Sequence, residues 1–81
     1  MTLLYFAWVR QKIGKSEEQL PALIGDVAQL IAHLKNLGPR YADAFADLSR
    51  IRVAVNQHHV SLDAKLGQDD EVAFFPPVTG G

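Results

Sequence analysis

From Ile51 onward apolar and polar positions alternate: Ile51, Val53 and Val55 are interleaved with Arg52, Ala54 and Asn56, then Val60 and Leu62 with Ser61 and Asp63. A period of two sends successive side chains to opposite faces of a strand, so this stretch predicts a hairpin that turns over Asn56-Gln57-His58. Thr2 to Val9 reads differently, with Leu3, Leu4, Tyr5, Phe6, Trp8 and Val9 in an almost unbroken run. That is the composition of a central strand buried on both sides, and the polar, Gly14-containing stretch Gln11 to Lys15 predicts a turn after it. Ser16-Glu17-Glu18-Gln19 has the spacing of a capping box, yet Pro21 would remove a helical hydrogen bond. A short edge strand tolerates that proline and is the preferred reading. The clearest helix starts at Asp26, whose carboxylate can cap it, and carries Val27, Leu30, Ile31, Leu34 and Leu37 as one apolar stripe. Gly38, able to adopt a left-handed cap, and Pro39, unable to extend the hydrogen-bond ladder, are expected to end it. Tyr41, Phe45 and Leu48 predict a shorter second helix within Arg40 to Leu48. A last strand, Val72-Ala73-Phe74-Phe75, follows the acidic loop Asp69-Asp70-Glu71 and stops at Pro76 and Pro77.

These elements, without a repeat or a low-complexity linker, pack most economically as an α+β roll: one sheet with one face covered by one main helix. The 81 residues hold at most one small domain, which excludes a multidomain enzyme. Eight Lys and Arg against nine Asp and Glu give a net charge of -1 with no basic run, so nucleic acid is not an expected partner. No apolar stretch approaches the roughly 20 residues of a membrane span, and the first residues lack the basic start of a secretory signal, so a cytoplasmic protein is expected. With no Cys, the fold must rest on packing or on a partner, and any sulfur chemistry needs another group to hold the sulfur.

Val78-Thr79-Gly80-Gly81 supplies such a group. Pro76 and Pro77 favour a polyproline-like rise of about 3.1 Å per residue, so residues 76–81 can project roughly 18 Å from a body formed by residues 1–75. Glycines without Cβ atoms can thread a narrow channel, and the Gly81 carboxylate is open to approach from any side. A carboxylate becomes reactive once it is activated, commonly by adenylation with ATP. A persulfide can then convert it to a thiocarboxylate, a soft nucleophile that carries sulfur without any Cys. The chain shows no phosphate-cradling glycine loop and no evident catalytic pair, so the activating enzyme is expected to be a separate partner.

The run Val53-Ala54-Val55-Asn56-Gln57 and the last twelve residues, Asp70-Glu71-Val72-Ala73-Phe74-Phe75-Pro76-Pro77-Val78-Thr79-Gly80-Gly81, resemble the MoaD/ThiS family of ubiquitin-like sulfur carriers, specifically its molybdopterin synthase small subunits. Phe6-Ala7-Trp8-Val9-Arg10 followed by Gly14 is similar, more weakly, to that family's first strand and turn. The resemblance implies a β-grasp fold, a mixed sheet of about four or five strands on one main helix with a flexible tail. It also implies adenylation of Gly81 by a ubiquitin-activating-like adenylyltransferase, loading by a sulfur donor protein, and insertion of the tail into the large synthase subunit. There the sulfur would pass to cyclic pyranopterin monophosphate to make molybdopterin, in an assembly of two small and two large subunits. In this reading the chain is non-catalytic alone and binds no permanent cofactor. Gly81 is the sulfur donor and Gly80 lets the tail thread, while Phe74, Phe75, Pro76, Pro77, Val78 and Thr79 meet the partner. The family usually has Gly where this chain has Asp69, which would cost about 1 kcal/mol if the turn needs a positive φ. Two other functions share the tail chemistry: a ubiquitin-like modifier joined to lysines through Gly81, and the sulfur carrier of thiamine biosynthesis, whose chains resemble shorter proteins lacking Phe-Phe-Pro-Pro.

Other groups read as surface. Adjacent His58 and His59 point to opposite faces if extended, His33 lies on the helix face away from Leu30 and Leu34, and the Asp69-Asp70-Glu71 turn is short, so no metal site is assigned. Phe74 and Phe75 must also diverge, and if one packs beneath the helix the other becomes a docking contact beside the tail. Arg10, Arg52 and Lys65 serve solubility or steer a partner.

Overall fold

The structure, a computed structural model, describes residues 1–21 and 24–77. Asp26 opens the longest helix as expected: its Oδ1 accepts from the Gln29 backbone N–H at 2.8 Å, and Gln29 Oε1 accepts from the Gly25 N–H at 3.1 Å. Each bond satisfies a donor that would otherwise be orphaned at the helix start. This helix, α2 (Val27–Lys35), buries Val27, Leu30, Ile31 and Leu34 on one face. It joins β1 (Thr2–Tyr5), α1 (Ala7–Ile13), β2 (Glu17–Gln19), α3 (Pro39–Ala44), a 3-10 turn (Leu48–Arg50), β3 (Arg52–Val55), β4 (His58–Val60) and β5 (Glu71–Phe75).

The strands form one five-stranded sheet in the order β2-β1-β5-β3-β4, with β1 and β5 parallel and the other neighbours antiparallel. Leu3, Tyr5, Val53, Val72 and Phe74 share the inner face and join the buried faces of α1 and α2 in a single core. Phe74, fully buried, lies 6.0 Å from the Tyr5 ring in a stacked arrangement and 5.0 Å from the Phe45 ring edge-on. The mixed sheet, the expected roll and the short proline-adjacent edge strand β2 are all present. Among the described residues, no helix is long and apolar enough to cross a membrane.

The first strand is shorter than the predicted Thr2 to Val9, and residues 7–13 form a helix where a strand end and a turn were expected. A dense apolar run does not distinguish the two states. Here the chain leaves the sheet because Ala7 takes a positive φ of 52°, a conformation that costs about 1–2 kcal/mol for a residue with a Cβ. Val9 and Ile13, four apart, then face the core, while Phe6 remains 48% exposed. The left-handed glycine cap also sits elsewhere than predicted. Gly14 (φ 91°) closes α1 with its N–H on the Arg10 carbonyl at 2.8 Å, whereas Gly38 is extended. Pro39 disfavours helical geometry in the residue before it and has no N–H of its own to satisfy, so it starts α3 rather than merely ending α2.

The hairpin turns over Asn56 and Gln57, both at positive φ (51° and 71°). Asp69 is not among the positive-φ residues, so the expected penalty at that position does not arise. Its neighbour Asp70 instead ties the loop down, accepting from the Gly67 N–H at 2.7 Å and from Asn56 Nδ2 at 3.0 Å. Asn56 Oδ1 accepts in turn from the Glu71 N–H at 3.0 Å, which joins the hairpin to the first residue of β5. The Gly67 amide and the Asn56 side chain hold the Asp70 carboxyl below the usual carboxylate range.

Candidate functional site

β5 lies at the centre of the sheet and is the last strand before residues 76–81, so its register decides what surrounds the start of the tail. Alternation buries Phe74 inward and leaves Phe75 half-buried on the open face. Of the two phenylalanines expected at a partner contact, Phe74 is therefore a core residue, and Phe75 alone offers a surface. Pro76 and Pro77 are half-buried beyond it. Val78, Thr79, Gly80 and Gly81, the expected threading and reacting residues, lie outside the described residues.

Phe75 stands directly across from Arg52 in the β3–β5 pairing, and the His59 ring meets it edge-on at 5.3 Å and 78°. The Arg52 guanidinium donates through Nη1 to the carbonyls of Ile51 (3.1 Å) and Ser49 (3.3 Å). The same face continues through Ala54, opposite both Ala73 and His59, and through Leu4, opposite Ala73. Small side chains along the middle strands thus leave a shallow apolar floor beside Phe75. A cleft of about 310 Å³, lined in part by Leu48, Arg52, Val60 and Leu62, borders β3 and β4. At the start of α1, the Arg50 guanidinium lies 5.2 Å from the centre of the Trp8 ring, a cation–π contact. A larger, open cleft of about 570 Å³ lies between α1 and β2, with β1 between it and β5.

Sequence reasoning treated Arg52 as a steering or solubility charge and His59 as a surface residue. The signal that could have placed them beside Phe75 is the period-two register, which requires knowing that β3 and β5 are neighbours. It likewise missed a polar clamp at the other side of the sheet. Glu18 Oε2 accepts from both Tyr5 Oη (2.7 Å) and Tyr41 Oη (2.8 Å), and Lys15 Nζ donates to Oε1 at 3.3 Å. Burial raises the Glu18 pKa, but the hydrogen bonds from Tyr5, Tyr41 and Lys15 outweigh it, and the carboxyl lies below its ordinary range. Burial first, and the adjacent carboxylate second, push the Tyr5 phenol far above its ordinary value. His58 and His59 are both exposed, His33 is half-buried, and among the described residues no cluster of three or more His, Cys, Asp or Glu could hold a metal.

The sequence model of the ThiS family matches residues 3–81. The chain belongs to this family. An Escherichia coli relative, the molybdopterin synthase sulfur carrier subunit, is 43% identical over 79 residues, 98% of this chain and 96% of the relative. Among solved structures, a Pyrococcus furiosus protein provisionally assigned as molybdopterin converting factor subunit 1 superposes with a TM-score of 0.73 and 34% identity, over 95% of each chain. SAMP1 from Haloferax volcanii gives a TM-score of 0.75 at 25% identity, over 100% of this chain and 98% of that one. The β-grasp architecture expected from the tail motif is therefore the fold of this ThiS-family chain.

Proposed function

We propose that this chain is the sulfur-carrier subunit of a cytoplasmic molybdopterin synthase, with Gly81 as the residue that carries the sulfur. The observation that carries the reading is the near full-length 43% identity to the E. coli molybdopterin synthase sulfur carrier subunit. The β5 strand supports it physically, because it anchors Phe74 in the core two residues before the first of the two prolines. A tail leaving a buried central strand has a fixed origin and a fixed direction at its base.

The chemistry begins on a partner. An oxygen of the Gly81 carboxylate attacks the α-phosphorus of ATP in an adenylyltransferase, releasing pyrophosphate and leaving an acyl-adenylate. A donor persulfide then attacks the acyl carbon and expels AMP. A thiol cleaves the resulting acyl disulfide, leaving a disulfide on the donor and a thiocarboxylate on Gly81. In the large subunit that sulfur attacks an electrophilic carbon of cyclic pyranopterin monophosphate, and a carbon–oxygen bond at that carbon breaks, its oxygen leaving as water or staying on the opened phosphate. Hydrolysis of the resulting thioester returns the carboxylate, and two loaded tails supply the two sulfurs of the dithiolene. ATP is the partner's substrate, and two small and two large subunits make the assembly. Gly80 lets the tail thread, while Phe75, Pro76, Pro77, Val78 and Thr79 contact the partner.

Intact mass after incubation with the activating enzyme, ATP and a sulfur source tests the reading, because exchange of one oxygen for sulfur adds about 16 Da. Deletion of Gly81 is expected to abolish the gain, with a circular dichroism melt checking that the chain still folds. Loading that persists in the deletion overturns the proposal. The likeness to SAMP1 favours one alternative, a modifier conjugated through Gly81. Stable high-mass adducts on lysines in cells, without loss of molybdopterin on deletion of the chain, would select it.

A further inference from the structure

Arg52 occupies an unusual place for a surface charge. It faces outward from β3, one strand in from the sheet edge, directly across from the last residue of β5. Its Nη1 is occupied by two main-chain carbonyls of the preceding turn, which orient the guanidinium without neutralising it. Among the described residues its charge has no carboxylate within ion-pair distance, whereas Lys12 and Lys15 are paired with Asp43 and Glu18. The nearby Arg50 differs, since it lies over Trp8 and its charge helps hold the Asp47 carboxyl low. His59, reaching from β4 on the far side of β3, meets the Phe75 ring edge-on, and Arg52 is the residue paired with Phe75 across β3 and β5.

Phe and Arg are both enriched at protein interfaces, and Arg is among the residues that dominate their energetic centres. Arg also presents several donors in a rigid fork suited to a carboxylate. We propose that Arg52 is a specificity-determining residue that reads a carboxylate on the synthase large subunit, set next to an apolar contact for Phe75. The proposal rests on the functional reading above. The occupant follows from position: a protein that receives residues 76–81 must approach the end of β5, where Phe75 and Arg52 stand side by side. The positive charge there calls for a negative one, and the apolar floor of Leu4, Ala54 and Ala73 calls for an apolar neighbour around it.

The test measures association of the full chain with the purified large subunit by surface plasmon resonance or stopped-flow, between about 50 mM and 500 mM salt, where screening of exposed charges becomes strong. Arg52→Gln is expected to weaken binding about tenfold at low salt and to flatten the salt dependence, and Arg52→Glu to weaken it further. Arg52→Lys keeps the charge and is expected to restore the salt dependence while recovering only part of the affinity, because the fork is lost. Phe75→Ala is expected to weaken binding equally at both salt concentrations. Circular dichroism melts of every variant separate lost binding from lost fold.

Wild-type binding that Arg52→Glu leaves unchanged overturns the proposal while sparing the functional reading. A defect in adenylation by the activating enzyme, with none in large-subunit binding, also overturns it, since the carboxylate would then belong to the other partner. Failure of the wild-type chain to bind the large subunit at all refutes the functional reading instead.

Discussion

Phe74 and Phe75 are neighbours in sequence and opposites in environment: the first has no exposed surface, the second stands half-open, paired across the strands with Arg52 and touched edge-on by His59. The same division holds for the two faces of the sheet. On the inner face Leu3, Tyr5, Val53, Val72 and Phe74 are buried among large side chains, with packing that fixes one arrangement. On the outer face Leu4, Ala54 and Ala73 form a floor with little to lock together, and the polar side chains stand at its borders. One strand thus serves stability with alternate residues and recognition with those between them. The two duties can be separated by mutation.

The largest effect belongs to the inner face. Phe74→Ala removes a ring packed against both Tyr5 and Phe45 and is expected to destabilise the chain by about 3–5 kcal/mol in urea or thermal unfolding. A loss near that of Phe75→Ala would erase the distinction between the faces. Glu18→Gln, which replaces the charged acceptor of two phenols, is expected to cost about 1–3 kcal/mol at neutral pH.

Glu18 also makes the inner side of the sheet sensitive to pH. Its folded pKa is lowered, so the native state binds this proton less readily than the unfolded chain, and the stabilisation present above its unfolded value is lost as acid protonates it. Tyr5 has the opposite shift. Its folded pKa is raised, so stability is full below the ordinary tyrosine value of 10.0 and falls as alkali ionises the unfolded phenol. Melting temperature against pH is therefore expected to decline at both ends, and Glu18→Gln to blunt the acid limb specifically.

Smaller effects sharpen the picture from the hairpin and the open face. Gln57 holds a φ of 71° in a two-residue turn whose second position favours glycine, so Gln57→Gly is expected to stabilise the chain by about 1 kcal/mol. Phe75→Ala is expected to change stability by no more than about 1 kcal/mol while weakening large-subunit binding, which unfolding and binding measurements on the same sample would check.

Much of this arrangement was readable from local pattern. The helix from Asp26, the hairpin turn and the strand Glu71–Phe75 each follow from short-range rules: a capping carboxylate, a period of two and a proline stop. The α1 helix was not, because Leu3 to Val9 is apolar enough for either state and the change of course depends on one strained residue, Ala7. Gly38 was misread as a left-handed cap because its own freedom was considered without the constraint that Pro39 places on it. Of the proposed site, the tail motif was legible, since its chemistry is written in consecutive residues. The surroundings of Phe75 were not, since Arg52 and His59 come to it across strands.

The sequence by itself determined the α2 helix, the β3–β4 hairpin, the alternation that parts Phe74 from Phe75, and the candidate reactive end at Gly81, because each depends on covalent neighbours or on a repeat of two to four residues. Only the tertiary structure decided that β5 enters between β1 and β3, that Glu18 receives two distant tyrosines, and that Arg52 stands beside Phe75. Those contacts join residues more than a dozen positions apart, and their pairing is selected by the burial of the whole inner face, a quantity no local window contains.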